Sequence, residues 1–218
     1  MKFAFALLFT LVVMPAIADP ATGPATTPAA TAISVPQPNV PALPLVDPSR
    51  ELKGAELLKA LQRGDLVLYL RHTDTGKVTP DCKESNLSTL GEEQAAQLGN
   101  ALRDLRIPFG QRESSEICRV RDTARLLGLG AFQTNEDLNN VPKRAGHDLH
   151  AARMRRLALP PARGTNTLLV GHIHAGDTPN QRLFLDLGEI IVFRPDGKGG
   201  SEPIARIRLA EWAELQAR

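Results

Sequence analysis

Two short apolar runs constrain this chain more than any other feature. Residues 66–70, LVLYL, and residues 168–170, LLV, contain no charged side chain. Runs of this length, bounded by turn formers, fit strands that are covered on both faces of a sheet. Each run ends in histidine: Arg71-His72 follows the first, and Gly171-His172 follows the second. A buried strand ordinarily closes on a turn former, so two adjacent ionisable groups at that point call for a chemical reason.

Helical periodicity alternates with these strands. Leu52, Ala55, Leu57, Leu58 and Leu61 recur at helical spacing after the start signal Pro48-Ser49-Arg50-Glu51, and Gly64 ends the helix. Residues 91–105 place Ala95, Leu98, Leu102 and Leu105 on one face. RESSEICRVRDTARLLG passes from a short segment into a helix closed by Gly128, and HDLHAARMRRLAL forms another helix before Pro160-Pro161. EIIVFRPDG reads as a third strand with a turn at Pro195-Asp196-Gly197, and PIARIRLAEW alternates as an edge strand. This alternation predicts an α/β fold: a three-layer α/β/α sandwich around a mostly parallel central sheet.

The ends of the chain read differently. Lys2, the apolar run 3–14 and Ala16-Ile17-Ala18 make residues 1–18 a secretory signal peptide, cleaved after Ala18. The run is too short to span a bilayer as a helix, so no membrane span is expected after cleavage. Residues 19–50 are rich in Pro, Ala and Thr, a disordered linker by composition. The folded domain is expected over 51–218. Twenty-six Lys and Arg against 24 Asp and Glu leave a net charge of +2, which argues against nucleic acid as a partner. Export to the periplasm or beyond, with Cys82 and Cys118 as an even cysteine count, makes those two a disulfide candidate. Oligomeric state leaves no trace in the sequence.

The chemistry lies at the strand ends. Ligand sites of open α/β sheets sit beyond the carboxyl ends of the strands, so parallel neighbours would bring His72 and His172 face to face. SSEICR then places Arg119 at a helix start, where free N–H groups favour anions. Arg71 and Arg119 add planar, permanently charged forks suited to phosphate oxygens.

LRHTDTG, SSEICRVRDTA and LLVGH, in this order and spacing, resemble the three blocks of the histidine phosphatase superfamily, with its phosphoglycerate mutase-like and acid phosphatase-like branches. The likeness runs from about Asp65 to Trp212, and LGEIIVFRPDG is similar to a subgroup of exported phosphatases. The resemblance implies a phosphoglycerate mutase-like fold and a metal-independent phosphomonoesterase without a cofactor. It implies His72 as the nucleophile of a phosphohistidine intermediate, with Arg71, Arg119 and His172 clamping the phosphoryl oxygens. The substrate class would be a phosphorylated small molecule or, from the expected location, an envelope glycan.

Some positions depart from the family pattern. Thr73 stands where the family usually has Gly, and would crowd the pocket or lend it a hydroxyl. Thr75 and Asn86 are candidates to bind substrate, with loop capping as the alternative. A leaving alkoxide needs a proton donor. In NEDLNN the register points to Asn140 rather than to Glu136 or Asp137, and GHIHAGD offers no clean match. Glu189, at the mouth of its strand, is the favoured donor. Gly146-His147-Asp148 imitates an acid phosphatase signature but reads better as a helix cap. Two alternatives stay open: a non-catalytic phosphate-binding module that lacks an acid, and a metal-dependent hydrolase built on His172 and His174.

Overall fold

The computed structural model describes residues 46–82, 84–177 and 182–216, all within one compact unit, Ala42–Arg218. The signal-peptide stretch 1–18 and the linker up to residue 45 lie outside the described residues. Residues 46–50, expected in the linker, pack with the domain instead. Val46 is buried, Arg50 N donates to Asp47 O, and the Arg50 guanidinium pairs with Glu202 at 2.6 Å.

The first helix, α1 (Gly54–Arg63), begins later than its start signal implies. Leu52 N donates to Ile204 O, so the chain runs extended before turning into the helix. Gly64 ends α1 at φ 88°, as expected of a glycine stop. The apolar run becomes strand β1 (Val67–Arg71). A small hairpin, β2 (Thr75–Val78) with β3 (Ser85–Leu87), follows the histidine and precedes α2 (Thr89–Asp104), whose N-terminus is capped by the Ser88 side chain. Strand β4 (Phe109–Ser114) leads into α3 (Cys118–Leu126). Sequence periodicity gives β4 only as a short segment, because its residues are mostly polar and do not alternate cleanly between buried and exposed. A two-residue strand β5 (Gln133–Thr134), a 3-10 turn (Glu136–Leu138) and α4 (Leu149–Leu157) come next. The Asp148 side chain caps α4 by accepting from Ala151 N, which settles the Gly-His-Asp triplet as a cap. Then come β6 (Asn166–Gly171), the hairpin strands β7 (His174–Asp177) and β8 (Arg182–Phe184), the antiparallel pair β9 (Ile190–Pro195) and β10 (Ser201–Ile207), and α5 (Glu211–Gln216).

The central sheet has strand order β10-β9-β1-β6-β4-β5. The β1–β6, β6–β4 and β4–β5 pairs are parallel, and β9 and β10 add an antiparallel edge. Burial on both faces follows from the period of two along β1. Leu66, Leu68 and Leu70 enter a core with Leu61 of α1, Leu102 of α2, Val120 of α3 and Trp212 of α5. Val67 and Tyr69 enter the opposite core with Leu157 and Met154 of α4 and with Leu183. This is the three-layer architecture expected from the sequence. It presents the carboxyl ends of β1, β6 and β4 at one sheet edge.

Candidate active site

Strand register builds the site before any side chain is considered. Arg71 pairs with Gly171 across β1 and β6, and Ser114 with Val170 across β4 and β6. The chain stays in register one residue further: His72 N donates to Gly171 O at 3.1 Å and Ser115 N to Val170 O at 3.0 Å. His72, His172 and Ser115 therefore leave the sheet together, and the two imidazole centres lie 5.7 Å apart, edge to face. Gly171 must be glycine, since a Cβ there would lie 2.2 Å from the Tyr69 hydroxyl. That hydroxyl accepts from His172 N at 3.1 Å and donates to His174 O at 3.2 Å, pinning the second histidine from beneath.

Hydrogen-bond partners assign the tautomer of each imidazole. His72 Nδ1 lies 2.9 Å from Thr73 O, which can only accept, so Nδ1 carries the proton. Nε2 is left with its lone pair, and Arg119 Nε donates towards it at 3.3 Å. The Ser115 hydroxyl gives its single proton to Asn139 Oδ1 at 2.7 Å, so the 3.2 Å contact with His172 Nε2 must be donated by the histidine. His172 Nδ1 therefore holds a lone pair, facing Arg119 Nη2 at 3.5 Å. Both rings are nearly sealed, with 6% and 5% exposure. Burial first, then the Arg119 and Arg71 charges, lower His72 to about 4, against the raising effect of its bond to Thr73 O. Burial, followed by Arg119, His72 and Arg153, lowers His172 to about 3. At neutral pH both imidazoles are uncharged, which leaves His72 Nε2 available as a nucleophile.

Arg71 and Arg119 both lie close enough to act on the two imidazoles. Arg71 Nη1 donates to Leu185 O at 2.7 Å, while its buried Nε finds no protein partner. Arg119 starts α3 behind Cys118, which is bonded to Cys82 across the β2–β3 hairpin. Its Nη1 carries the Glu84 carboxylate at 2.8 Å.

Several expected roles change. Thr73 turns away from the crevice: it is fully buried, its hydroxyl donates to Gly91 O at 2.8 Å, and its N–H donates to Thr123 Oγ1. It therefore braces α2 and α3 behind His72 and neither crowds the pocket nor lends it a hydroxyl. Asn86 spends its amide N–H on Asp122 at 2.7 Å, while its carbonyl oxygen is buried with no partner. Thr75 opens β2 opposite Leu87 and has no hydrogen bond from its hydroxyl among those described. Glu189 needs the largest correction. It is fully buried, both its oxygens accept from the Arg206 guanidinium, and one also accepts from Asp186 N at 2.7 Å. A carboxylate held this way fixes the wall behind Arg71, whose N–H donates to Glu189 O, and it cannot face a leaving group. His172 and His174 also part company, because His174 stacks on His150 at 5.5 Å and packs against Phe184. Among the described residues no three metal-ligating side chains cluster.

Four residues escaped the sequence reading: Tyr69, Ser115, Asn139 and Arg153. Arg153 is 7% exposed and donates to Asn139 O at 2.9 Å, which braces the Asn139–Ser115–His172 chain. Its sequence signal was an arginine four residues from both Leu149 and Leu157, on the apolar face of α4. Ser115 lay inside a block already singled out, but only the strand register shows that its hydroxyl meets His172.

Two buried, uncharged imidazoles and two arginines thus meet at the carboxyl edge of a parallel sheet. The family model described as histidine phosphatase superfamily (branch 1) matches residues 67–156. The match stops short of His172, which the fold alone brings into the site. Among solved structures, the protein histidine phosphatase SixA in complex with tungstate is similar, with 16% identity, 67% of this chain and 98% of that chain covered, and a TM-score of 0.50. The SixA structure from Nakamurella multipartitia gives 19% identity, 66% and 95% coverage, and a TM-score of 0.47. A phosphoserine phosphatase mutant from Entamoeba histolytica in complex with phosphoserine gives 13%, 66%, 97% and 0.46. No curated protein matches the sequence.

Proposed function

We propose that this protein is an exported, metal-independent phosphatase that works through a phosphohistidine at His72. The observation that carries the reading is the His72 ring. Its Nδ1 proton is fixed on Thr73 O, and its Nε2 lone pair is aimed at the arginine cleft. A phosphoryl group between Arg71 and Arg119 would meet positive charge on its equatorial oxygens and a neutral nitrogen below phosphorus. Its dianion brings further negative charge to the Arg71 and Arg119 guanidinium groups. A proton can then settle on His172 Nδ1, which turns from acceptor to donor against a phosphoryl oxygen. Transfer to Nε2 splits hydrolysis into two displacements, and water releases phosphate in the second.

Export is supported by the leader pattern of residues 1–18 and by the Cys82–Cys118 bridge, a bond favoured in oxidising compartments. Among the described residues no helix is long and apolar enough to cross a membrane. The substrate would be a phosphorylated small molecule or a phosphorylated glycan of the envelope. Phosphate release from p-nitrophenyl phosphate is the test. The wild type should turn over with and without a chelator, and His72→Ala should fall by at least about 10³-fold while staying folded. Full activity in His72→Ala removes the nucleophile assignment, and loss on chelation favours metal chemistry. Tight phosphate binding without turnover by the wild type favours a binding module.

A further inference from the structure

Glu189 cannot give the leaving group its proton, so another group must do so or the enzyme is confined to good leaving groups. Glu116 and Asp74, two of the described carboxylates near the cleft, are committed to other partners. Glu116 has both oxygens engaged, Oε1 by Asn139 Nδ2 at 2.7 Å and Oε2 by Lys143 at 2.5 Å. Asp74 accepts a short 2.5 Å bond from Ser88 Oγ at the cap of α2. Asp186 points to Arg206 at 3.6 Å and Arg208 at 4.0 Å, on the Glu189 side of Arg71.

Glu84 differs from all of these. Its side chain is 48% exposed, and one oxygen rests on Arg119 Nη1, the same guanidinium that donates to His72 Nε2 and His172 Nδ1. An in-line displacement places the leaving oxygen opposite the nucleophile. His72 is buried at the floor, so the leaving oxygen faces the open side, where Arg119 Nη1 and Glu84 lie. The Cys82–Cys118 bridge holds that arrangement, since Cys82 is two residues before Glu84 and Cys118 is next to Arg119.

We infer that Glu84 is the proton donor of this phosphatase, parked on Arg119 until the phosphoryl group takes its place. The inference rests on the phosphatase reading above. In the free enzyme the carboxylate occupies the clamp as an anion. A bound phosphoryl dianion displaces it from Nη1, and the carboxyl, carrying a proton taken from solvent, is left beside the leaving oxygen. His72 Nε2 then forms the N–P bond as the P–O bond breaks, and the electron pair stays on the leaving oxygen. The Glu84 proton moves to that oxygen, releasing an alcohol and leaving Glu84 a carboxylate. In the second step Glu84 takes a proton from water as the water oxygen attacks phosphorus. The N–P bond breaks with its pair returning to Nε2, which restores the neutral imidazole and frees inorganic phosphate.

The test is Glu84→Gln on the full chain, with p-nitrophenyl phosphate and an alkyl phosphate such as glycerol phosphate as substrates. The proposal predicts about a 10²-fold or larger fall in kcat on the alkyl phosphate, little change on the aryl phosphate, and tighter competitive inhibition by inorganic phosphate because Arg119 is freed. Equal losses on both substrates, no loss on either, or the alkyl-selective loss appearing in Asp186→Asn instead would overturn it. The phosphatase reading fails separately, if the wild type hydrolyses neither substrate.

Discussion

Two arginine–glutamate pairs border the crevice, and they differ in what each can do. Arg206 grips both oxygens of Glu189 inside the protein, with the glutamate side chain 1% exposed. Arg119 holds one oxygen of Glu84 at the surface. The first pair engages both carboxylate oxygens and is sealed from solvent, so it acts as wall. The second gives up one contact when an anion arrives, so it can take part in a reaction. Glu189 was the natural choice from sequence because it lies at a strand mouth near the nucleophile. Proximity along the strand does not tell whether a carboxylate is free, and only the partner on β10 decides that.

The comparison can be sharpened first by acid. The two histidines between the pairs are lowered to about 4 and about 3, against 6.5 in the unfolded chain. As pH falls through 6.5 the unfolded histidines take up protons and the native ones do not. Stability therefore rises with pH across this window and is lost on acidification, by roughly 3–4 kcal/mol between pH 6.5 and 5 for the two together. Denaturant titrations at those pH values should show this drop, and His172→Gln should reduce it to about half. A flat profile would mean that the imidazoles are not buried neutral and that the cleft between the pairs is open.

Removing the bridge is next. It closes 36 residues and contributes roughly 3–4 kcal/mol in the chain-entropy picture. Cys82→Ser/Cys118→Ser should lose that much stability and also loosen Glu84 from Arg119. An unaltered response of kcat to leaving-group basicity in this variant would show that the exposed pair needs no tether. Smaller again is Glu189→Gln, which strands part of a buried guanidinium and should cost about 3 kcal/mol in urea unfolding. Glu84→Gln should move stability by less than about 0.5 kcal/mol, as an exposed ion pair does. If the two substitutions cost the same, the distinction between wall and donor collapses.

How much was legible follows from where each signal resides. Strands β1, β6 and β9 announced themselves because burial on both faces demands unbroken apolar runs. The α/β layering followed from them, and so did Arg71, His72, Arg119 and His172, which sit at their ends or at the next helix start. Strand β4 was obscure because GQRES is polar along most of its length, although its register sets Ser115 against His172. Thr73 misled because a hydroxyl beside a nucleophile suggests a ligand, whereas its backbone turns it to Gly91 and Thr123. Arg153 and Asn139 hold His172 through contacts more than ten residues apart in sequence, which no local pattern encodes.

The central claim is the covalent role of His72. The direct measurement is to mix the protein with excess p-nitrophenyl phosphate, quench in alkali during turnover, and map the modified peptide by mass spectrometry. A phosphoryl group on the peptide containing His72, absent from His72→Ala, is the result expected. Continued turnover with the phosphoryl group on another residue, or with none captured on any peptide, would contradict it.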